Sequence, residues 1–335
     1  MKLFQTIIQS TIGIMALSLV APVLAQSGQP MPVVTTFSIL GDIAKRIGGE
    51  HISLTTLVGP NGDAHVYQPT PADARAASEA QVLIVNGLEF EGWLDRLIDA
   101  SDFNGMKVVA TADIEPIAFK EDGDHHEEDE HQGHEEDTAK EKHVNSKHED
   151  EEGHDDHHGA FDPHAWQSLE NAISYVNRIT ASLAESNPKK ATDFYQNRAT
   201  YVAEIEMLDR EIRALMTNLP EGKRTVVTSH DAFGYFAVTY GLNFEAPQGM
   251  STESEASAKD VANLIEQIRN EGISAVFIET ITDNRLLEQI ARETGVTIGG
   301  TLYSDALSDS NGPASTYLDM MRHNAMTLTK ALSAI

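Results

Sequence analysis

Between Pro188 and Pro220 the chain runs about thirty residues without a glycine or a proline. The segment "NPKKATDFYQNRATYVAEIEMLDREIRALMTNLP" (Asn187–Pro220) opens on one proline and ends on another. It therefore predicts a single helix on the order of 45 Å long at 1.5 Å per residue. A connector of that length and stiffness spans two bodies, whereas a flexible linker would be rich in glycine and serine. The 335 residues of the chain suffice for two bodies of ordinary domain size.

What lies on either side of this helix supports the same division. Short β-branched apolar runs alternate with amphipathic stretches, the pattern of strand–helix units around a mainly parallel sheet. In the first half the strands are "PVVTTF" (Pro32–Phe37), "ISLTTLV" (Ile52–Val58), "QVLIVNG" (Gln81–Gly87) and "KVVAT" (Lys107–Thr111). Helices are expected at Gly41–Ile47, Pro71–Ser78 and Glu91–Ala100. The second half repeats the scheme with "RTVVTS" (Arg224–Ser229), "NFEAP" (Asn243–Pro247), "ISAVFIE" (Ile273–Glu279) and "VTIGGTLY" (Val296–Tyr303). Ser257 with Asp260 three residues later predicts a capped helix start, and a last helix is expected over Thr316–Leu332. The expected organisation is an α/β lobe over 26–186, the connecting helix over 187–220 and a second α/β lobe over 221–335.

The first 25 residues are set apart from this fold. Lys2, an apolar run and then Val23-Leu24-Ala25 match an export signal cleaved after Ala25, a membrane anchor being the alternative. The chain holds no cysteine, which excludes thiolate metal chemistry, disulfides and a lipid-modified cysteine at the mature N-terminus. A mature protein free in the periplasm is the expectation.

The formal charge of −28 is unevenly spread. From Glu121 to His158 there are 17 Asp and Glu against 3 Lys, so about half of the excess lies in one insertion of the first lobe. This tract has no apolar periodicity and is expected to stay out of the fold. Its nine histidines, His125, His126, His131, His134, His143, His148, His154, His157 and His158, suit an auxiliary, weaker collector of several metal ions; a solubilising acidic loop is the alternative. No basic patch offsets the acidity, so nucleic acid is excluded as a partner.

Five histidines lie elsewhere, and three fall where expected strands end and loops begin, the edge at which open α/β sheets bind ligands. His65 sits in "GPNGDAHVYQPTP", His164 in "FDPHAW" and His230 in "TVVTSHDAFGYF". Each alone could be an ordinary loop histidine. Three imidazoles with one carboxylate or water, however, make the tetrahedral site that Zn²⁺ favours. Asp305 in "LYSDALS" is the candidate fourth donor. His51 and His323 are read as structural, and Asp231 as a cap of the following helix.

The segments "GDAHVYQPTP", "DPHAW", "SHDAFGYF" and "STESEASAKDVANLIEQIRNEGISAVFIET", in this order, resemble the metal-specific periplasmic solute-binding proteins of ABC importers. The acidic His-rich insertion before "DPHAW" narrows the resemblance to zinc-uptake members of the ZnuA type. It covers essentially the mature chain. The resemblance implies two (β/α)4 lobes joined by one rigid helix, with zinc held in the interlobe cleft and delivered to a membrane permease. Its ligand positions fall on His65, His164 and His230, and a histidine at the third place is similar to zinc members, manganese members tending to carry a carboxylate there. Two departures stand out. Ala64 occupies a place where certain relatives have glutamate, and the disulfide some relatives carry is impossible. The first departure leaves Asp305 as fourth ligand, with water as the competitor.

The expected function is capture and carriage of Zn²⁺ by a monomer, with an ABC permease as partner and a periplasmic metallochaperone as a further one. A zinc hydrolase is the rival from another class, since three histidines and an exchangeable fourth position also describe catalytic zinc. No HExxH helix and no motif-placed general base support it, so no enzymatic activity is expected. A metal buffer acting through the tract and a manganese or iron carrier of the same fold complete the alternatives; the nitrogen-rich donors disfavour the latter.

Overall fold

The computed structural model describes residues 29–118, 161–273 and 275–333. The Ala25 cleavage site and the nine histidines of the acidic tract lie outside them.

The first lobe is built on four parallel strands, β1 (Met31–Phe37), β2 (Ile52–Val58), β3 (Val82–Val85) and β4 (Met106–Val109), in the order β2-β1-β3-β4. Helices α1 (Ser38–Gly48), α2 (Pro71–Glu79) and α3 (Leu94–Ser101) make the crossovers. The β3 residues Val82, Leu83, Ile84 and Val85 are all buried, as a parallel strand covered on both faces requires. Helix α2 starts at a complete capping box between Thr70 and Asp73, with Pro71 at its first turn.

The second lobe repeats the plan. Strands β5 (Thr225–Val227), β6 (Asn243–Glu245), β7 (Ala275–Glu279) and β8 (Thr297–Leu302) pair in parallel in the order β6-β5-β7-β8. Its helices are α6 (Gly234–Tyr240), α7 (Ala258–Glu271), α8 (Arg285–Thr294) and α9 (Tyr317–Ser333). Ser257 caps α7 as its sequence predicts, accepting from the Asp260 backbone N–H. Asp231 does not cap α6: that helix begins at Gly234 with Phe233 before it and no side-chain cap.

One long helix, α5 (Ala191–Thr217), joins the lobes. Helix α4 (Leu169–Ser186) leads into it through a 3₁₀ turn (Pro188–Lys190), so the 3₁₀ geometry takes up the first turn of the expected connecting helix. The 27 residues of α5 extend about 40 Å at 1.5 Å per residue. Phe194, Tyr201, Ile205, Leu208, Ile212 and Met216 form its buried stripe, which packs against α1 and α4 of one lobe and α9 of the other. The main core runs continuously through the first lobe, these helices and the inner part of the second lobe. A separate small core of Val227, Leu264, Ile268, Ile273, Val276, Leu287, Ile290 and Ala291 lies beneath α7 and α8. Among the described residues no helix is long and apolar enough to cross a membrane.

Candidate metal centre

Four side chains converge between the carboxyl ends of the two sheets. His65 lies in the loop after β2, and His164 immediately before a 3₁₀ turn (Ala165–Gln167) that leads into α4. His230 lies just past β5 and Asp305 just past β8. One donor atom from each falls within 4.8 Å of the others. His65 Nε2 and His230 Nε2 are each 3.1 Å from Asp305 Oδ2, and His164 Nε2 is 3.7 Å from Asp305 Oδ1. The first lobe supplies two donors and the second lobe two. His65 is 5% exposed and the other three are fully buried, so water has little access to any of them. Among the described residues His164 Nε2 and Asp305 Oδ1 have no hydrogen-bond partner, a costly state for buried polar atoms that a cation between them would relieve.

A carboxylate holds the backbone of each histidine. The His65 N–H donates to Asp63 Oδ1 (2.9 Å), the His164 N–H to Asp162 Oδ1 (2.9 Å) and the His230 N–H to Glu279 Oε1 (3.0 Å). The last two carboxylates also act on the rings. His164 Nδ1 donates to Asp162 Oδ1 at 2.8 Å, which leaves Nε2 as the free lone pair. His230 Nδ1 lies 2.8 Å from Glu279 Oε2, within ion-pair distance though not aligned as a hydrogen bond. The Asp162 site needs a glycine opposite it, since a Cβ on Gly234 would come within 2.5 Å of Asp162 Oδ2.

The two tryptophans of the chain brace the backbone beside the donors. Trp93 Nε1 donates to the Ala64 carbonyl (2.7 Å), next to His65, and Trp166 Nε1 donates across the lobes to the Ser304 carbonyl (2.9 Å), next to Asp305. Phe90 packs edge-on against His65 with ring centroids 4.6 Å apart. Its loop carries positive φ at Gly87, Leu88 and Glu89, a conformation that costs non-glycine residues about 1–3 kcal/mol each. Buried Glu91 holds that loop by accepting from Thr36 Oγ1 (2.6 Å) and the Asn86 and Gly87 N–H groups (2.7 and 3.2 Å).

Electrostatics differ across the site. Burial pushes the His65 imidazole below its ordinary range, with Asp305 only partly opposing it. Burial acts in the same direction on His230, but the charges of Glu279 and Asp305 outweigh it and hold this imidazolium well above the usual value. Asp305 is raised by burial and lowered more by His230 and His164, so its carboxyl stays well below the ordinary range.

Sequence reasoning names His65, His164, His230 and Asp305, and the fold brings these four together. His51 and His323 stand apart: His51 Nε2 pairs with Asp193 Oδ2 at 2.8 Å, and His323 Nε2 donates to the Thr301 carbonyl at 3.0 Å. Sequence reasoning misses Glu279, Asp162 and Asp63 as supports. The repeated Asp-x-His of "DAH" and "DPH" is the signal that could have found two of them. Glu279, 49 residues from His230, has no local signal beyond being a carboxylate at a strand end.

The chain as a whole is similar to known metal-binding proteins. The manganese-binding lipoprotein MntA of Bacillus subtilis (strain 168) is 32% identical over 91% of this chain and 90% of its own length. The iron-binding protein YfeA of Yersinia pestis is 29% identical over 91% of this chain and 88% of its own. The solved structure of the periplasmic zinc-binding protein TroA from Treponema pallidum matches with a TM-score of 0.76 and 28% identity, covering 91% of this chain and 99% of that one. Residues 33–331 match the family described as ZnuA, zinc-uptake complex component A, periplasmic. With two parallel four-stranded lobes, a long joining helix and a buried donor cluster between the sheets, the chain belongs to the ZnuA family, the periplasmic metal-binding solute-binding proteins of ABC transporters, which are not enzymes.

Proposed function

We propose that the chain captures Zn²⁺ through His65, His164, His230 and Asp305 and delivers it to the permease of its ABC transporter. The observation that carries this reading is the convergence of three buried histidine Nε2 atoms on one buried carboxylate. Three nitrogens and one oxygen form a closed tetrahedral set of the kind that suits Zn²⁺, and closure leaves no position for an activated water. The nine histidines from His125 to His158 are assigned as the weaker auxiliary collector. Export with cleavage after Ala25, a monomeric state and a metallochaperone partner belong to the same proposal.

A manganese or iron carrier is the second reading. The unpartnered Asp305 Oδ1 favours it, because a carboxylate binding through both oxygens raises the coordination number beyond four. The names of MntA and YfeA point the same way. Affinity alone cannot separate the readings, since Zn²⁺ binds nitrogen–oxygen sites more tightly than Mn²⁺ or Fe²⁺. Uptake separates them. Cells lacking the chain should lose uptake of radiolabelled zinc and keep that of manganese and iron; loss of manganese or iron uptake with zinc uptake unchanged would establish the second reading instead.

A further inference from the structure

The carboxylates that hold the three histidines are not equivalent. Asp162 holds both the backbone N–H and the ring of His164 through Oδ1, and Glu279 holds the His230 N–H through Oε1 while Oε2 faces its ring. Asp63 holds only the backbone of His65 with Oδ1. Its Oδ2 accepts instead from the hydroxyl of Thr252, 2.6 Å away and 189 residues on, in the opposite lobe. Thr252 belongs to a loop that runs beside His230: Gln248 forms a parallel bridge with His230, and the Asp231 N–H donates to the Gly249 carbonyl at 3.1 Å. A continuous path therefore joins the two histidines from opposite lobes, from the His65 backbone through Asp63 and Thr252 to the loop paired with His230.

We propose that Asp63 and Thr252 form an interlobe latch: positioning residues that keep the His65 loop against the second lobe and so govern how fast a bound ion leaves. The proposal rests on the ligand set given above. His65 is the one donor of the four with measurable exposure, so departure of the ion is easiest where its loop lifts. Besides the His65–Asp305 contact within the donor set itself, this loop is tied to the second lobe at Asn61, whose N–H donates to the Leu307 carbonyl (2.8 Å) and whose exposed amide reaches Asp309 Oδ2 (3.2 Å). Neither touches the loop paired with His230. The Asp63–Thr252 contact is a charge-assisted hydrogen bond, half-buried, and its loss should change a rate without removing any donor atom.

The test is the rate of Zn²⁺ release from the full mature chain, read by stopped-flow capture with a fluorescent chelator. Thr252→Val removes the hydroxyl at nearly constant shape and should speed release about tenfold, while lowering the melting temperature of the ion-free protein by only about 2–4 °C. Thr252→Ser, which restores the donor, should release at close to the parent rate. Thr252→Ala provides a second removal should the valine variant fold poorly. Parent-like release from the valine and alanine variants, or release from the serine variant as fast as from them, overturns the latch. His164→Ala in the same assay isolates the underlying reading. If it fails to retain zinc while Thr252→Val behaves as the parent, only the latch falls; if it retains zinc as the parent does, the ligand set is wrong and the latch falls with it.

Discussion

The two lobes share a strand order and a site, but they hold their halves of it differently. The first lobe belongs wholly to the main core, which continues through α4 and α5, and its half-site adds buried Glu91, Phe90 and the Trp93 bond beside His65 to its own carboxylates. The second lobe is divided. Its inner part joins the main core, whereas α7 and α8 cover a separate cluster of eight buried residues. In its half-site, buried Glu279 accepts from the Ser229 and His230 N–H groups (2.7 and 3.0 Å) and faces the His230 ring, while Asp305 is braced at Ser304 from the other lobe by Trp166. Both halves use carboxylates, but in the second lobe one buried carboxylate, Glu279, holds two backbone N–H groups and faces the ring.

The largest effect expected from this contrast is on affinity. Asp162→Asn and Glu279→Gln each remove the charge that orients a histidine, a loss of the order of 10–100-fold in metal affinity. Glu279→Gln should lie at the upper end, because this fully buried carboxylate holds the Ser229 and His230 N–H groups and faces the His230 ring at once. Calorimetric titration with Zn²⁺ checks this, and equal losses would mean that the two halves are braced alike.

The next effect concerns protons. The His230 imidazolium is held above its ordinary pKa and the His65 imidazole below, so they respond to pH with opposite sign. In the ion-free protein the His230 contribution to stability is complete below about pH 6.5 and is lost as pH rises through its raised folded value. The His65 contribution is complete above about pH 6.5 and is lost as pH falls toward its lowered value. That of Asp305 is present above its ordinary range, near pH 4, and fades only as pH falls through a still lower folded value. An incoming cation must displace the proton on His230 but none on His65. Uptake near neutral pH should release about one proton, with affinity rising as pH increases. Titration in buffers of different ionisation enthalpy measures this; no proton released would remove the electrostatic half of the contrast.

The smallest effect is dynamic. A core of eight residues protects its helices less than one that runs through two lobes, so amides of α7 and α8 should exchange faster than those of α4 and α5 in the ion-free protein. Hydrogen exchange followed by mass spectrometry reads this directly. Uniform protection would show that the outer part of the second lobe is as firmly held as the rest.

The division between what was legible and what was not follows the range of the interactions. Ile52–Val58, the Ser257–Asp260 cap and the proline-bounded helix were legible because β-branched runs, caps and helix stops act over a few residues. His65, His164, His230 and Asp305 could be named because each stands next to a strand end or helix start that is itself local. Asp231 shows the limit: a carboxylate beside a strand end reads as a cap, yet the chain continues to Phe233 before α6 begins.

The two-lobe α/β plan, the connecting helix and the residue types able to bind a cation are written in local pattern. Which carboxylates serve which histidines is settled only once the lobes pack. Glu279 meets His230 across 49 residues, Thr252 meets Asp63 across 189, and Trp166 meets Ser304 across 138. Such contacts form when the lobes are already packed, and no periodicity or spacing within either partner encodes them. Periodic burial selects the element, while the pairing of polar groups is set by where the packed elements leave them.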